Sequence, residues 1–435
     1  MTKRLVRSTM APGTRRGEIG MDDAWRRALG QRFSRRDLLR RAGRGSLGLG
    51  AAALLAACGR EAGVAPTGAV SPTPSPRELP PVAGELSVAQ WPLYIDRARG
   101  GRRPTLEAFQ EETGIRVEYR EIIDDNHAFF SRLVPLFEAG QPTGWDIIAL
   151  SDWVVALMVE QGWLLPLDRS LLPTVDANLL PAFRDPVYDP GNAHSVPWQG
   201  GVTGIAYHPD LVGGEITAFG DLWDPRLEGR VGMLTEMVDT MTLTLLMLGV
   251  DPQAATLDDA ERAKEKLIEQ REAGIVRKYY GQDYIDDLVA KNTWASMAWS
   301  GDIFYYKYLG GAPDLEFVVP EEGGVIWATP LEIPVGAEHP RDAHLFMDFF
   351  YRPEIAAMVT DWVLYMTPVQ GVREIMLRKA EELKGADRAY YETLANSPLL
   401  FPPDDLAAAN LHQYRAYTGE EFTAWNDLFE EVLRG

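Results

Sequence analysis

The chain has 435 residues, a formal net charge of −20 and one cysteine. That length buries a sizeable core, and a single thiol leaves no disulfide to be made within the chain. So acidic a surface repels nucleic acid and anionic lipid headgroups and draws in small cations.

Charge is spread unevenly. Residues 1–57 hold 13 Lys and Arg against 4 Asp and Glu, so the remainder carries a formal charge of −29. The basic stretch contains Ser34-Arg35-Arg36-Asp37-Leu38-Leu39, which resembles a twin-arginine export signal. An apolar run of small residues, Gly45 to Ala57, follows and is too short for a comfortable membrane span. It ends in Leu55-Ala56-Ala57-Cys58, which resembles a bacterial lipobox. The order basic, apolar, small, Cys predicts an exported chain, cut before Cys58 and lipid-anchored through it, on the periplasmic or outer side of the cytoplasmic membrane. Residues 1–57 are then a signal peptide. Residues 58–84, rich in Pro, Gly, Ala and Ser, read as a flexible linker that cannot bury enough apolar area to order itself.

From Glu85 the composition is globular for roughly 350 residues, a length that predicts two domains. Leu86–Gln90 alternates and predicts a strand; Thr105–Thr113 places Leu106 and Phe109 on one helical face and stops at Gly114. Ile115–Ile122 alternates again. Asp146–Leu150 is an apolar run, as in a strand covered on both faces, and Trp153–Gln161 predicts a helix ended by Gly162. Val231–Leu234, Trp294–Ser300 and Val325–Pro334 predict further strands. Asp239–Leu248, Thr256–Ala273 with Thr256 as N-cap, Asp342–Tyr351 and Glu354–Val363 predict helices. Strands alternating with helices describe an α/β layer fold, whose ligands lie beyond the carboxyl ends of strands. Trp91 and Ser151 fall at such ends.

No zinc-protease, paired-cysteine, nucleophile-elbow or phosphate-loop motif is present, and the six histidines show no metal spacing. Nothing points to an enzyme, a cofactor or a metal. Carboxylates are too abundant for any pair to mark a hydrolase by itself.

Nine short stretches then stand in a telling order. They are Trp91-Pro92-Leu93-Tyr94, Glu112-Thr113-Gly114-Ile115-Arg116-Val117, Leu150-Ser151-Asp152-Trp153, Val196 to Ile205, and Leu234-Thr235-Glu236-Met237-Val238-Asp239. Trp299-Ser300-Gly301-Asp302, Glu322 to Trp327, Leu331-Glu332-Ile333-Pro334 and Tyr365-Met366-Thr367-Pro368 complete them. In this order, from about Glu85 to Gln413, the chain resembles the polyamine (spermidine/putrescine) substrate-binding proteins of ABC importers. The resemblance implies a two-lobed α/β fold of the type II periplasmic-binding-protein kind. Each lobe is a mixed sheet flanked by helices, hinged around a ligand cleft. The expected lobes are 85–200 with 329–373 and 201–328 with 374–435.

Carried over residue by residue, the resemblance puts Trp91 and Tyr94 in the cleft. Ser151 and Trp153 match a serine and an aromatic contact, and Glu236 and Asp239 match two acidic contacts. Trp299 matches an aromatic wall and Asp302 an acid of the same motif; Trp327, Tyr365 and Gln413 match further aromatic and polar contacts. Thr329 stands where the family usually carries an aspartate, which removes one ammonium partner. Asp152 stands where a small polar residue is usual and is expected to add charge near the cleft mouth. The implied partners are a small polyamine-like cation, a permease with its ATPase, and the membrane through the lipid anchor; the protein is expected to be a monomer.

The chemistry agrees with the resemblance. Each ammonium of a polyamine needs a carboxylate and acceptors in place of water. Its methylenes and charges both suit aromatic faces, where a cation–π contact contributes about 0.5–2 kcal/mol. Taken singly, Trp91, Trp299 and Trp327 serve equally as core, Ser151 as a helix cap, and Glu236 with Asp239 as a solvated helix start. Two alternatives stand beside the polyamine reading. One keeps the fold and binds an amino sugar, a guanidinium compound or a quaternary amine, which Thr329 favours. The other is a secreted hydrolase using Glu236, Asp239 and Asp302. Helical spacing that points 236 and 239 one way fits cation binding better.

Overall fold

A computed structural model describes residues 79–434 apart from 124–125, 309 and 402–404. Cys58, the expected signal peptide and most of the expected linker lie outside the described residues.

The strands are β1 Glu85–Gln90, β2 Arg116–Glu121, β3 Ile147–Ile148, β4 Ser195–Tyr207 and β5 Val231–Leu234. They continue as β6 Val276–Tyr280, β7 Ala295–Trp299, β8 Glu316–Val318, β9 Gly324–Glu332 and β10 Leu411–Gln413. All join one mixed sheet in the order β2-β1-β3-β9-β4-β7-β5-β6, with β10 beside β9 and β8 beside β4. Helices follow most strands, as the α/β pattern predicts.

Two parallel groups, β2-β1-β3 and β7-β5-β6, form the ends of the sheet. The long antiparallel strands β4 and β9 join them. The first part of β4 pairs with Thr329–Glu332, whereas Thr203–Tyr207 pairs with β7. Register shifts between Pro197 and Gln199, where proline has no N–H to give the ladder. Midway, Gly200 exchanges both backbone hydrogen bonds with Met366 at 2.9 Å, which draws the 365–368 segment against the middle of β4.

Local signals place the elements closely. β5 spans the expected residues. Thr256 caps the helix Leu257–Glu272: its hydroxyl accepts from the Asp259 N–H, and Asp259 accepts from the Thr256 N–H. Gly114 closes the helix Pro104–Thr113 at φ 73°, a left-handed conformation glycine adopts freely. The expected strand over 146–150 shortens to Ile147–Ile148, pinned between β1 and β9. β4 is the element the pattern conceals, because a proline and three glycines interrupt its alternation although all thirteen residues are buried.

The end of the expected linker is not free. Ala83 and Gly84 donate their N–H groups to the Asp342 carboxylate at 3.0 Å each, and Arg341 donates to the Pro80 carbonyl at 2.8 Å. Residues 79–84 are thereby held on the helix Pro340–Phe350, which in turn packs Phe346 and Phe349 edge-on to Phe109. Such pairs contribute about 0.5–1.5 kcal/mol beyond their burial.

Candidate ligand-binding site

The helix Met237–Met247 starts directly after β5. Glu236 is its N-cap, with extended backbone and no side-chain cap hydrogen bond, and is half-buried. Asp239, in the first turn, is 1% exposed. Its carboxylate accepts from Thr203 Oγ1 at 2.5 Å, from Trp299 Nε1 at 3.3 Å and from the Tyr414 hydroxyl. Burial raises the Asp239 pKa, and these three hydrogen bonds oppose the rise. Glu236 and Asp239 therefore differ in environment.

The helix Ser300–Tyr308 follows β7 and carries Asp302, which is also buried. Asp302 accepts from Gln282 Nε2 at 2.7 Å, Tyr284 Oη at 3.1 Å and Tyr365 Oη at 3.0 Å. The Tyr284 hydroxyl also accepts from the Trp299 N–H at 3.1 Å, and the two rings meet edge to face at 5.6 Å. Tyr284 thus joins the Asp302 group to the Asp239 group.

Tyr365 is the hub of the aromatic residues. Its ring centroid lies 5.9 Å from that of Tyr94 and 5.7 Å from that of Trp327. Two glycines seat these rings. A Cβ on Gly301 would come within 2.6 Å of the Tyr365 ring, and one on Gly201 would run into the Trp327 indole. The buried Trp327 Nε1 has no hydrogen-bond partner among the described residues. A buried donor left so is costly.

The remaining expected residues divide. Trp91 donates its indole N–H to the Ala149 carbonyl at 2.8 Å, which ties the end of β1 to the strand beside it. Ser151 is the N-cap of the helix Asp152–Glu160, yet its hydroxyl accepts from Asn126 Nδ2 at 2.9 Å instead of capping. Trp153 is buried and stacked on Phe422 at 4.7 Å and 8°, so packing accounts for its ring. The Gln413 carboxamide oxygen accepts from the Val187 N–H at 3.0 Å. Thr329 is buried opposite Gln199 in the β4–β9 ladder.

Asp152 corrects an expectation. Far from adding charge at a mouth, it is 2% exposed and takes the N–H groups of Trp153 and Ala328 at 2.9 and 3.0 Å. Burial, with the Asp239 charge adding to it, pushes its pKa up to about 8.

Thr203, Gln282, Tyr284 and Tyr414 were not anticipated. Thr203 lies inside the quoted Val196–Ile205 stretch, and Tyr414 is one position beyond Gln413. Gln282 and Tyr284 lie in a segment with no local signal.

A profile of the bacterial extracellular solute-binding protein family matches residues 105–384. The chain is 28% identical over 328 residues to spermidine/putrescine-binding periplasmic protein 1 of Haemophilus influenzae, covering 75% of this chain and 84% of that protein. It is 29% identical over 301 residues to the putrescine-binding periplasmic protein SpuD of Pseudomonas aeruginosa, covering 64% and 77%. Among solved structures, the spermidine/putrescine ABC transporter substrate-binding protein PotD of Streptococcus pneumoniae superposes with a TM-score of 0.64 at 25% identity, over 80% of this chain and 98% of that one. With the profile spanning well over half its length, the chain belongs to the bacterial extracellular solute-binding proteins.

Proposed function

We propose that the protein is an exported, lipid-anchored binding component of an ABC importer, which captures a polyamine such as putrescine or spermidine and delivers it to a permease. Asp239 is the observation that carries this reading. It is a buried carboxylate met by a hydroxyl, a phenol and an indole, and among the described residues no Lys, Arg or His forms an ion pair with it. A carboxylate removed from water without a counter-charge is costly, and a ligand ammonium supplies that charge.

Other features support the same reading. Tyr94, Trp299, Trp327 and Tyr365 offer faces for methylenes and for cation–π contact. Asp302, linked to Trp299 through Tyr284, supplies a second acidic end for a second ammonium. Relatives named for spermidine and putrescine agree with this ligand class. In this reading lobes 85–200 with 329–373 and 201–328 with 374–435 close about β4 and β9, and closure desolvates the charges. The lipid on Cys58 keeps the binder at the effective concentration its permease meets.

Calorimetric titration with putrescine, spermidine and agmatine tests the ligand. Saturable heat with at least one is expected; no heat and no thermal shift with any of them overturns the reading. Thr329 favours a second reading, in which the same cleft takes an amino sugar, guanidinium compound or quaternary amine. Tighter binding of such a solute than of putrescine or spermidine selects it.

A further inference from the structure

The helix Gly419–Leu433 belongs to one end of the sheet but touches the other. Its body packs on the helix Leu257–Glu272, where Lys264 Nζ donates to Glu431 at 3.1 Å, and Phe429 meets Tyr279 of β6 edge-on at 6.4 Å. Its first turn reaches the helix Asp152–Glu160, which follows β3. There the Gly419 N–H donates to Glu160 Oε2 at 2.8 Å, and the Phe422 ring stacks on Trp153 at 4.7 Å. Both sides are firmly seated. The Thr418 hydroxyl caps one helix by accepting from the Glu421 N–H at 3.2 Å, and Asp152 ties the start of the other to Ala328 of β9.

The same elements enter the candidate site. Tyr414, just before the Thr418 cap, donates its hydroxyl to Asp239. The site itself draws on both ends of the sheet: Tyr365, whose ring meets Tyr94 after β1, donates to Asp302 after β7 at 3.0 Å. β9 and β4 lie between the two ends, so a hinge motion about them parts the Trp153–Phe422 stack and the site together.

We propose that Trp153, Phe422 and Glu160 form a latch that holds the binding cleft closed on its ligand. They are positioning residues, which set how often the two ends of the sheet part. Release requires parting, whereas entry occurs with the ends already apart, so the latch slows dissociation and leaves association unchanged. The ring stack contributes more than the Glu160 contact, because Trp153 is buried while Glu160 is exposed to water and salt that screen its charge. The inference rests on the two-lobe closure described above.

Stopped-flow kinetics with putrescine, spermidine and agmatine, on the unaltered protein and on Phe422→Leu and Glu160→Gln, tests it. Dissociation is expected to quicken about tenfold in Phe422→Leu and about threefold in Glu160→Gln, with association unchanged. Small-angle X-ray scattering of the ligand-free proteins is expected to show a larger radius of gyration in Phe422→Leu than in the unaltered chain. Saturable binding with unchanged dissociation in both variants overturns the latch and leaves the cation reading standing. A lower melting temperature in Phe422→Leu with unchanged dissociation marks the stack as packing and overturns it equally. Absence of binding by all three amines overturns the cation reading; scattering then decides the latch, and an unchanged radius overturns it. Should Phe422→Leu fail to fold, Glu160→Gln, altered at an exposed position, decides by both measurements.

Discussion

Asp239 and Asp302 are equally buried and each accepts three side-chain hydrogen bonds, yet their surroundings differ. Asp302 is held by Gln282, Tyr284 and Tyr365, and through Tyr365 it is wired to an aromatic box with Tyr94 and Trp327. Asp239 is held by groups from β4, β7 and the C-terminal segment, and has a second carboxyl group, Asp152, within its field. Asp302 thus lies in a cluster of rings, whereas Asp239 is tied to strands and to the C-terminal segment. Counting acids in a sequence does not give the charge of a site, because desolvation opposes ionisation.

Variants can break this contrast. Asp239→Asn should have the largest effect, weakening amine binding by about 2–5 kcal/mol, as when one partner of a buried charge pair is neutralised. An unchanged affinity by calorimetry removes Asp239 from the site. Gly201→Ala comes next. Its methyl group displaces the Trp327 indole, and overpacking of this kind costs about 1–3 kcal/mol in a denaturant melt. A wild-type midpoint would mean that the indole moves aside freely. Tyr365→Phe keeps the ring and removes the hydroxyl from Asp302, so about 1 kcal/mol of affinity should be lost if that end binds a cation. No loss would place the working charge at the Asp239 end alone.

The two ends should also differ in their response to pH. Asp152 has a folded pKa of about 8 against an ordinary value of 3.8, so the folded state binds more protons than the unfolded one. Its contribution to stability is then fully present below about pH 3.8 and is lost as pH rises toward about 8. The melting temperature of the ligand-free protein should fall between pH 5 and pH 8, and less so in Asp152→Asn. The same slope in both proteins would assign the loss to other groups. The smallest effect is expected from Cys58→Ser, which should release the protein from membranes in a fractionation assay while amine affinity stays unchanged.

Local order was legible in advance. The alternation in β1 and β2, the apolar run of β5, the Thr256 cap and the Gly114 stop all depend on neighbours a few residues apart. So does the order of motifs that marks the family. The aromatic residues Tyr94, Trp327 and Tyr365 were named from those motifs, and the structure brings them together. Their seats on Gly201 and Gly301 were not legible, because a glycine's neighbours across a sheet leave no trace beside it in the chain.

What the sequence alone determined is the alternation of strands and helices, their caps, the acidic charge and the family. Each follows from backbone preference, side-chain periodicity and residue order, which short windows contain. The tertiary structure decided which acids meet which donors. Asp239 finds Tyr414 at a separation of 175 residues, and Asp152 finds Ala328 at 176. It also decided that Asp239 is enclosed while Glu236, three residues earlier, is only half-buried, and that burial raises the pKa of Asp152. Enclosure removes water, and the cost of a charge without water depends on everything around it in space.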